Sequence, residues 1–214
     1  LVLNIGTGGQ VSCVTDAWLE HPDLEMRPFP GGRRLAVGAS LCGGAAFRYL
    51  GEHYRRVARL LTGQDVAMDD ILSALVREAA AVEETGPRAD VRFRGTRSQP
   101  ELAGSVTAMT PENNTPGHHA RAYLVGIVRE LAGYYQVMRE CGTRERTRCV
   151  GTGNGLRRNP VLREAAERIL KMPLVPPAWT EEAACGAALS AMVGCGTLES
   201  YDAVGMISSR HKVR

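Results

Sequence analysis

Lysine is almost missing from this chain: Lys171 and Lys212 are the only two among 26 basic residues, and the rest are arginine. The Gly-Lys-Ser/Thr core of a phosphate-binding P-loop is therefore absent. No apolar run approaches the roughly 18 residues that span a bilayer, which argues against membrane insertion. Long blocks of one charge sign are missing as well. The 26 basic residues interleave with 23 acidic ones for a net charge of +3, so no basic tract points to a nucleic-acid partner. Cys13, Cys42, Cys141, Cys149, Cys185 and Cys195 show neither CxxC nor CxxH spacing, and no secretory signal precedes them. Reduced, mostly buried thiols and a cytoplasmic location are expected. Asn113-Asn114-Thr115 matches a glycosylation acceptor but, without such a signal, reads as a polar turn. What is present is an ordinary globular composition, 44% hydrophobic and 23% charged over 214 residues, enough for one sizeable core or two small ones.

The chain opens on Leu1-Val2-Leu3-Asn4-Ile5, an apolar strand with no initiator Met, and an N-terminal portion that precedes it is expected. Gly6-Thr7-Gly8-Gly9 follows, and then Gln10 to Thr15 alternates with period two rather than 3.6. That predicts a glycine hairpin, not the strand-to-helix turn of a dinucleotide-binding fold, so backbone amides of a strand-loop-strand would hold any phosphate. Arg27 to Gly38 is rich in Pro and Gly and reads as loop plus a short strand, Leu35-Ala36-Val37. Ser40 is placed as the N-cap of a helix running to about Tyr49 or beyond, and Ala67 to Glu84 as a second helix with Ile71, Leu72, Leu75, Val76, Ala79 and Val82 on one face. Val91-Arg92-Phe93 and Ser105 to Met109 read as extended, and Pro111 to Pro116 as a turn.

The longest periodic segment, Gly117 to Glu140, carries Tyr123, Leu124, Ile127, Val128, Leu131, Tyr134, Tyr135 and Met138 as a core stripe. His118 and His119, adjacent on that helix, point apart and do not have metal-ligand spacing. A further unit reads as strand Arg148-Cys149-Val150, loop Gly151-Thr152-Gly153-Asn154-Gly155, and a helix to Leu170 with Asn159 as N-cap and Pro160 at N1. Pro173-Leu174-Val175 reads as a short strand. Thr180 is expected to cap a helix over Glu181 to Val193, whose small residues Ala183, Ala184, Gly186, Ala187, Ala188, Ser190 and Ala191 suit close packing on a sheet. Residues 196–214 read as a partly ordered tail.

Two glycine-rich loops, Gly6 to Gly9 and Gly151 to Gly155, bracket this body, and four segments in order carry a resemblance. They are Asn4-Ile5-Gly6-Thr7-Gly8; Val37-Gly38-Ala39-Ser40-Leu41; Phe93-Arg94-Gly95-Thr96-Arg97 with Gly104-Ser105-Val106 and Thr115-Pro116-Gly117-His118; and Gly151 to Leu162 with Glu181 to Ala188. Together they resemble the C-terminal half of the FGGY carbohydrate kinases, members of the actin-like ATPase superfamily, over about residues 1–195. The hairpin, the Phe-Arg-Gly-Thr-Arg stretch and the long second loop are most similar to sedoheptulokinase-type members, while xylulose, gluconate and glycerol kinases share the skeleton. The resemblance implies an α/β fold of the actin-like, ribonuclease H-like kind, a mixed sheet with helices on both faces.

It also implies ATP and magnesium as cofactors and a sugar as the second substrate. Thr7, with the amides of Gly6 and Gly8, would contact the β- and γ-phosphates. Gly38 would lie against the nucleotide, and Cys42 stands where glycerol-kinase-like members have a glutamine. Gly151, Thr152 and Gly153 would approach the adenosine, with Gly153 and Gly155 both open for the closest contact, and Asn159 would bond the base or ribose region. No metal ligand and no catalytic residue is assigned in this chain. The family's aspartate sits in a Gly-Asp motif upstream of the hairpin, and neither Asp16 nor Asp23 has that context. The expectation is the ATP-binding half of a sugar kinase, with sedoheptulose as the favoured acceptor and an N-terminal domain as the missing partner. A noncatalytic nucleotide-binding or interaction module, and self-association through a bared surface, are the other readings. Arg94 and Arg97 read either as a phosphate clamp or as solvated loop residues.

Overall fold

The computed structural model describes residues 1–210 apart from Glu84, Ala178 and Thr180. Leu3 and Ile5 of strand β1 (Val2–Ile5) point inward and are fully buried, whereas Val2 and Asn4 point outward, the alternation of a pleated strand. A turn over Gly6, Thr7 and Gly8 returns the chain antiparallel as β2 (Gly9–Thr15), with Ile5 opposite Gly9 and Val2 opposite Ser12. The expected hairpin is thus present. Beyond it the structure departs from the sequence reading: residues Arg27 to Gly38 belong to a second hairpin, β3 (Leu24–Phe29) and β4 (Arg33–Ser40), turned at Gly31 and Gly32 with φ of 75° and 72°. Pro28 is tolerated inside β3 because β3 lies at the sheet edge, where no ladder bond is demanded of its outer side.

The strand pairing to Ser40 leaves no room for a helix there, so α1 starts later and runs further than expected, over Gly44–Thr62. Gly43, at φ 47°, makes the reversal between strand and helix, and Gly63 closes the helix in the left-handed conformation. Helix α2 (Met68–Ala80) buries Leu75 and Ala79 and ends short of the expected boundary; Glu84 lies outside the described residues. The small antiparallel pair β5 (Arg88–Asp90) and β6 (Ser105–Thr107) follows. β5 stops before Val91 because the Asp90 carboxylate accepts the amide of Arg92 at 3.0 Å, and β6 stops at Ala108, whose φ is 59°.

Helix α3 (Pro116–Glu140) is the spine of the molecule. Thr115 caps it, accepting from the amide of His118, and Pro116 occupies its first turn. Leu124, Val125, Ile127, Val128, Leu131 and Met138 are all at most 2% exposed, because α3 packs on β2, β4, β5, α1, α2 and α5 at once. Each such side chain contributes about 1.5–3 kcal/mol by burial. The chain then re-enters the sheet as β7 (Cys149–Thr152), parallel to β1, and passes through a short helix α4 (Gly153–Arg158) to α5 (Pro160–Leu170) and the final strand β8 (Leu174–Val175), parallel to β7. The six-stranded order is β3-β4-β2-β1-β7-β8, a mixed α/β sheet. Gly151 and Thr152, expected in a loop, complete β7, and the loop's remaining residues open α4.

Helix α6 (Glu182–Gly194) differs from the expected packing on the sheet: it has no buried residue and contacts α7 (Tyr201–Arg210), which forms within the stretch expected to be a partly ordered tail. Alanine and glycine offer little apolar area per residue, which weakens the drive to seat α6 on the sheet, and the Arg157–Glu182 ion pair, 2.6 Å, ties its first turn beside α4. The expected cap Thr180 lies outside the described residues. All six cysteines are free, and among the described residues no helix is long and apolar enough to cross a membrane.

The α3–sheet contact yields a test. A methyl group at Gly38 would stand 2.3 Å from Tyr134 Cβ, so Gly38→Ala is expected to cost about 1–3 kcal/mol by overpacking. Urea unfolding should show a lower midpoint at unchanged slope; an unaltered midpoint would mean that β4 and α3 are not held in this contact.

Candidate functional site

The C-terminal ends of the parallel strands β1 and β7 meet the hairpin turn beside the start of α1, the place in an open α/β sheet where ligands gather. A cavity of about 220 Å³ opens there. Ile5, Gly6 and Thr7 form one wall; Gly44, Ala45, Phe47 and Arg48 of α1 a second; Leu72, Leu124 and Ile127 the apolar floor; Gly155, Asn159 and Leu162 the far side. Among the described residues, Arg48 is its single charged group and no carboxylate lines it. An apolar floor with a cation and a peptide rim suits a planar heterocycle carrying an anionic tail.

Glycine makes the hairpin's approach to α1 possible. A Cβ on Gly43 would fall 2.1 Å from the Gly8 carbonyl carbon, and one on Gly44 2.2 Å from the Gly6 oxygen. The amides of Gly44 and Ala45 donate to the carbonyls of Gly6 and Thr7 at 3.1 and 2.8 Å. Because a trans peptide places its N–H opposite its C=O, fixing those two carbonyls toward α1 turns the amides of Thr7 and Gly8 to the opposite side. Neither amide donates to a protein group among the described residues, and Thr7 and Gly8 are exposed. The amide of Gly6, by contrast, is taken by the Gly8 carbonyl at 3.0 Å. Of the residues expected at the phosphates, Gly6 thus has its amide engaged within the hairpin, and the amides left open are those of Thr7 and Gly8. Two adjacent free amides and a hydroxyl are the chemistry of which anion-binding concavities are made.

On the far side, Gly153 has φ 88° and a Cβ there would meet the Ile5 carbonyl oxygen at 2.5 Å; at Gly155 the same oxygen would be 2.7 Å away. Both glycines are thus needed for α4 to pass over β1, and of the two only Gly155 lines the cavity. Asn159 is 7% exposed and its Oδ1 accepts the amide of Leu162 at 3.1 Å as the cap of α5, which leaves Nδ2 as the group available to a ligand.

Gly6, Thr7, Gly155 and Asn159 are brought together, and Gly8 and Gly153 border them. Gly38, Cys42, Gly151 and Thr152 are not. Gly38 alternates onto the α3 side of β4 beneath Tyr134, Cys42 is 1% exposed, a side chain on Gly151 would strike Leu174, and Thr152 is 8% exposed within β7. The arginines of the 93–97 loop are engaged elsewhere: Arg97 pairs with Glu25, and Arg94 lies over the Tyr49 ring. The first turn of α1 and Arg48 also line the cleft, and no motif in the sequence points to them. Gly43-Gly44 directly after a strand was the available signal. Among the described residues no group of three or more His, Cys, Asp or Glu side chains is placed to hold a metal ion.

The profile of the FGGY family of carbohydrate kinases, C-terminal domain, matches residues 1–195. Mouse sedoheptulokinase is 31% identical over 185 residues, which cover 81% of this chain and 37% of the mouse protein. Gluconokinase from Bacillus subtilis (strain 168) is 30% identical over 114 residues, 53% of this chain and 22% of the relative. The chain thus spans well under half the length of the curated relatives it matches. Among solved structures, ligand-bound xylulose kinase from Lactobacillus acidophilus superposes with a TM-score of 0.78 at 19% identity, covering 96% of this chain and 40% of that one. Plasmodium falciparum glycerol kinase with ADP gives 0.74 at 17% identity over the same shares of the two chains. At those identities the superpositions speak for the fold, and the profile match speaks for the lineage: this chain belongs to the FGGY family of carbohydrate kinases and corresponds to its C-terminal domain.

Proposed function

We propose that this chain is the nucleotide-binding half of an ATP-dependent sugar kinase, which transfers the γ-phosphoryl group to a sugar hydroxyl, with sedoheptulose as acceptor and sedoheptulose 7-phosphate as product. The observation that carries the reading is the cleft itself: two free hairpin amides and the Thr7 hydroxyl at one end, an apolar floor and Asn159 at the other, and Arg48 as the only charge among its described lining residues. The amides of Thr7 and Gly8 with the Thr7 hydroxyl would hold the β- and γ-phosphates, and Gly155 and Asn159 Nδ2 the adenosine. Sedoheptulose is favoured over gluconate because the sedoheptulokinase match extends over 81% of the chain against 53%.

In phosphoryl transfer the protein contributes mainly position and electrostatic stabilisation. This half supplies position: it fixes the phosphate tail on rigid backbone donors, whose reorganisation is already complete before the nucleotide arrives. Magnesium would arrive on the nucleotide phosphates and shield their charge. The base that takes the sugar proton, and most sugar contacts, belong to a separate N-terminal domain whose closure completes the site. A cytoplasmic setting accords with free thiols and a metabolite substrate.

Isothermal titration of magnesium-ATP and magnesium-ADP into the chain should show saturable binding. Thr7→Val, which deletes the hydroxyl, should weaken it about tenfold. Asn159→Ser keeps the α5 cap while removing Nδ2, and a loss of similar size is expected there too. Absence of binding to the folded chain would refute the site. Turnover is a separate matter: with sedoheptulose, xylulose, gluconate or glycerol, ADP release by the 214-residue chain alone should stay at background even when nucleotide binds. Sugar-dependent release would place the base within this chain.

A further inference from the structure

Glu130 lies outside the cleft, half-buried on α3, yet its carboxylate is wired to the hairpin. Its Oε2 accepts the hydroxyl proton of Ser40, the last residue of β4, at 2.8 Å. The same Ser40 oxygen accepts the amides of Cys42 at 3.2 Å and Gly43 at 2.9 Å. A serine hydroxyl has one proton and two lone pairs, so all three are in use. With Glu130 as the acceptor, the hydroxyl rotor is locked in the one orientation that leaves both lone pairs to the turn. That turn carries Gly43, which rests on Gly8 and Gly9, and is followed directly by the amides of Gly44 and Ala45 that hold the carbonyls of Gly6 and Thr7.

From this connection we infer that Glu130 and Ser40 are positioning residues for the phosphate-binding hairpin: Glu130 orients Ser40, Ser40 fixes the Cys42–Gly43 turn, and the turn aims the Thr7 and Gly8 amides at the nucleotide phosphates. The inference rests on the reading of Gly6 to Gly8 as the phosphate site. An ordinary core polar contact would hold the strand to the helix equally well whether or not a ligand was bound. What marks this one is its cost. Burial pushes the Glu130 carboxyl above the usual carboxylate range, and Asp90 adds to the rise, while Ser40, Arg92 and the Tyr134 hydroxyl work against it. Asp23, Asp90, Arg92, Arg129 and Tyr134 share with it a cavity of about 410 Å³. An apolar side chain at position 130 would avoid that desolvation and would leave Ser40 free to turn its proton elsewhere, releasing one amide of the turn.

The test compares ligands with and without phosphates. Magnesium-ATP, magnesium-ADP and adenosine are titrated into the wild-type chain, Ser40→Ala, Glu130→Met and Glu130→Gln. Ser40→Ala and Glu130→Met should weaken both nucleotides about tenfold, the usual effect of freeing buried donors, and adenosine less than about twofold, since it makes no use of the hairpin amides. Glu130→Gln retains a carbonyl oxygen for the Ser40 proton and should recover nucleotide affinity to within about threefold of wild type. Equal losses for adenosine and ATP would indicate a packing defect and overturn the inference, as would wild-type affinity in Glu130→Met or a Gln variant as weak as the Met variant. Amide hydrogen exchange on the unmodified chain decides the matter even if the variants fail to fold: magnesium-ADP, and not adenosine, should slow exchange at Cys42 and Gly43, and no slowing overturns the inference. If the wild-type chain binds no nucleotide at all, the phosphate-site reading itself has failed, a result distinct from any change confined to the variants.

Discussion

Between Gly43 and Gly8 there is no room for a single additional carbon: a Cβ would lie 2.1 Å from the opposing carbonyl carbon. Everything that defines the cleft depends on that backbone-to-backbone contact. It lets the first amides of α1 reach the hairpin carbonyls, and by peptide planarity it decides which way the remaining hairpin amides face. In many phosphate sites the N-terminus of a helix donates to the anion directly. Here the first donors of α1 go to the hairpin, whose own Thr7 and Gly8 amides stay open. Under the proposed function, the direct helix contact would be exchanged for a rigid two-stranded tip, anchored at its base by the ladder of β1 and β2.

One helix holds the pieces of this arrangement in register. Along α3, Ile127 reaches the cleft floor, Glu130 bonds Ser40, Leu131 approaches Gly9 and Tyr134 covers Gly38. These residues are three and four apart, so they share one face. The glycines at 9 and 38 are the complement of that face: they remove side chains where α3 must approach β2 and β4 closely. Gly38 is therefore a packing residue. The family motif in which it stands gives its sequence neighbourhood but not the direction in which its Cα points, which is set by strand alternation from Ser40 backwards.

Sequence periodicity made the hairpin, α3 and the Asn159-Pro160 helix start legible, because each is encoded locally by a repeat of two, a repeat of 3.6 or a cap. The missed features have non-local causes. Pro28 and the Gly31-Gly32 pair resemble a loop in isolation, and only the edge position of β3 makes them compatible with a strand. Ser40 has the side chain of a cap and does bind two amides ahead of it, but the strand ladder to Gly9 claims its backbone first. Gly151 to Gly155 reads as one loop, whereas parallel pairing with β1 extends the strand through Thr152 and the Ile5 carbonyl forces the turn at Gly153. Of the cleft's lining, Gly6, Thr7, Gly155 and Asn159 were reached through the family resemblance, whose motifs are made of turn and cap residues. Arg48 and the Glu130–Ser40 connection were not, because nothing in their local sequence marks which cavity or which strand they face.

Among the described residues no carboxylate lines the cleft, and under the proposed function this bears on how the reaction would be divided. A phosphate tail bound on neutral amides is held by dipoles, and an ionised aspartate placed permanently a few ångströms away would oppose it by several kcal/mol in a partly desolvated setting. It would also activate water against the γ-phosphate whenever nucleotide was bound without sugar. A base carried on a second body, brought in only as the domains close around both substrates, removes the repulsion from the open state and excludes water at the moment of transfer. Under the proposed function, rigidity in the hairpin would be a requirement of that division: when one half moved to meet the other, the phosphate would already have to stand where the arriving base and sugar hydroxyl could use it, and the Cys42–Gly43 turn, locked through Ser40, would keep it there.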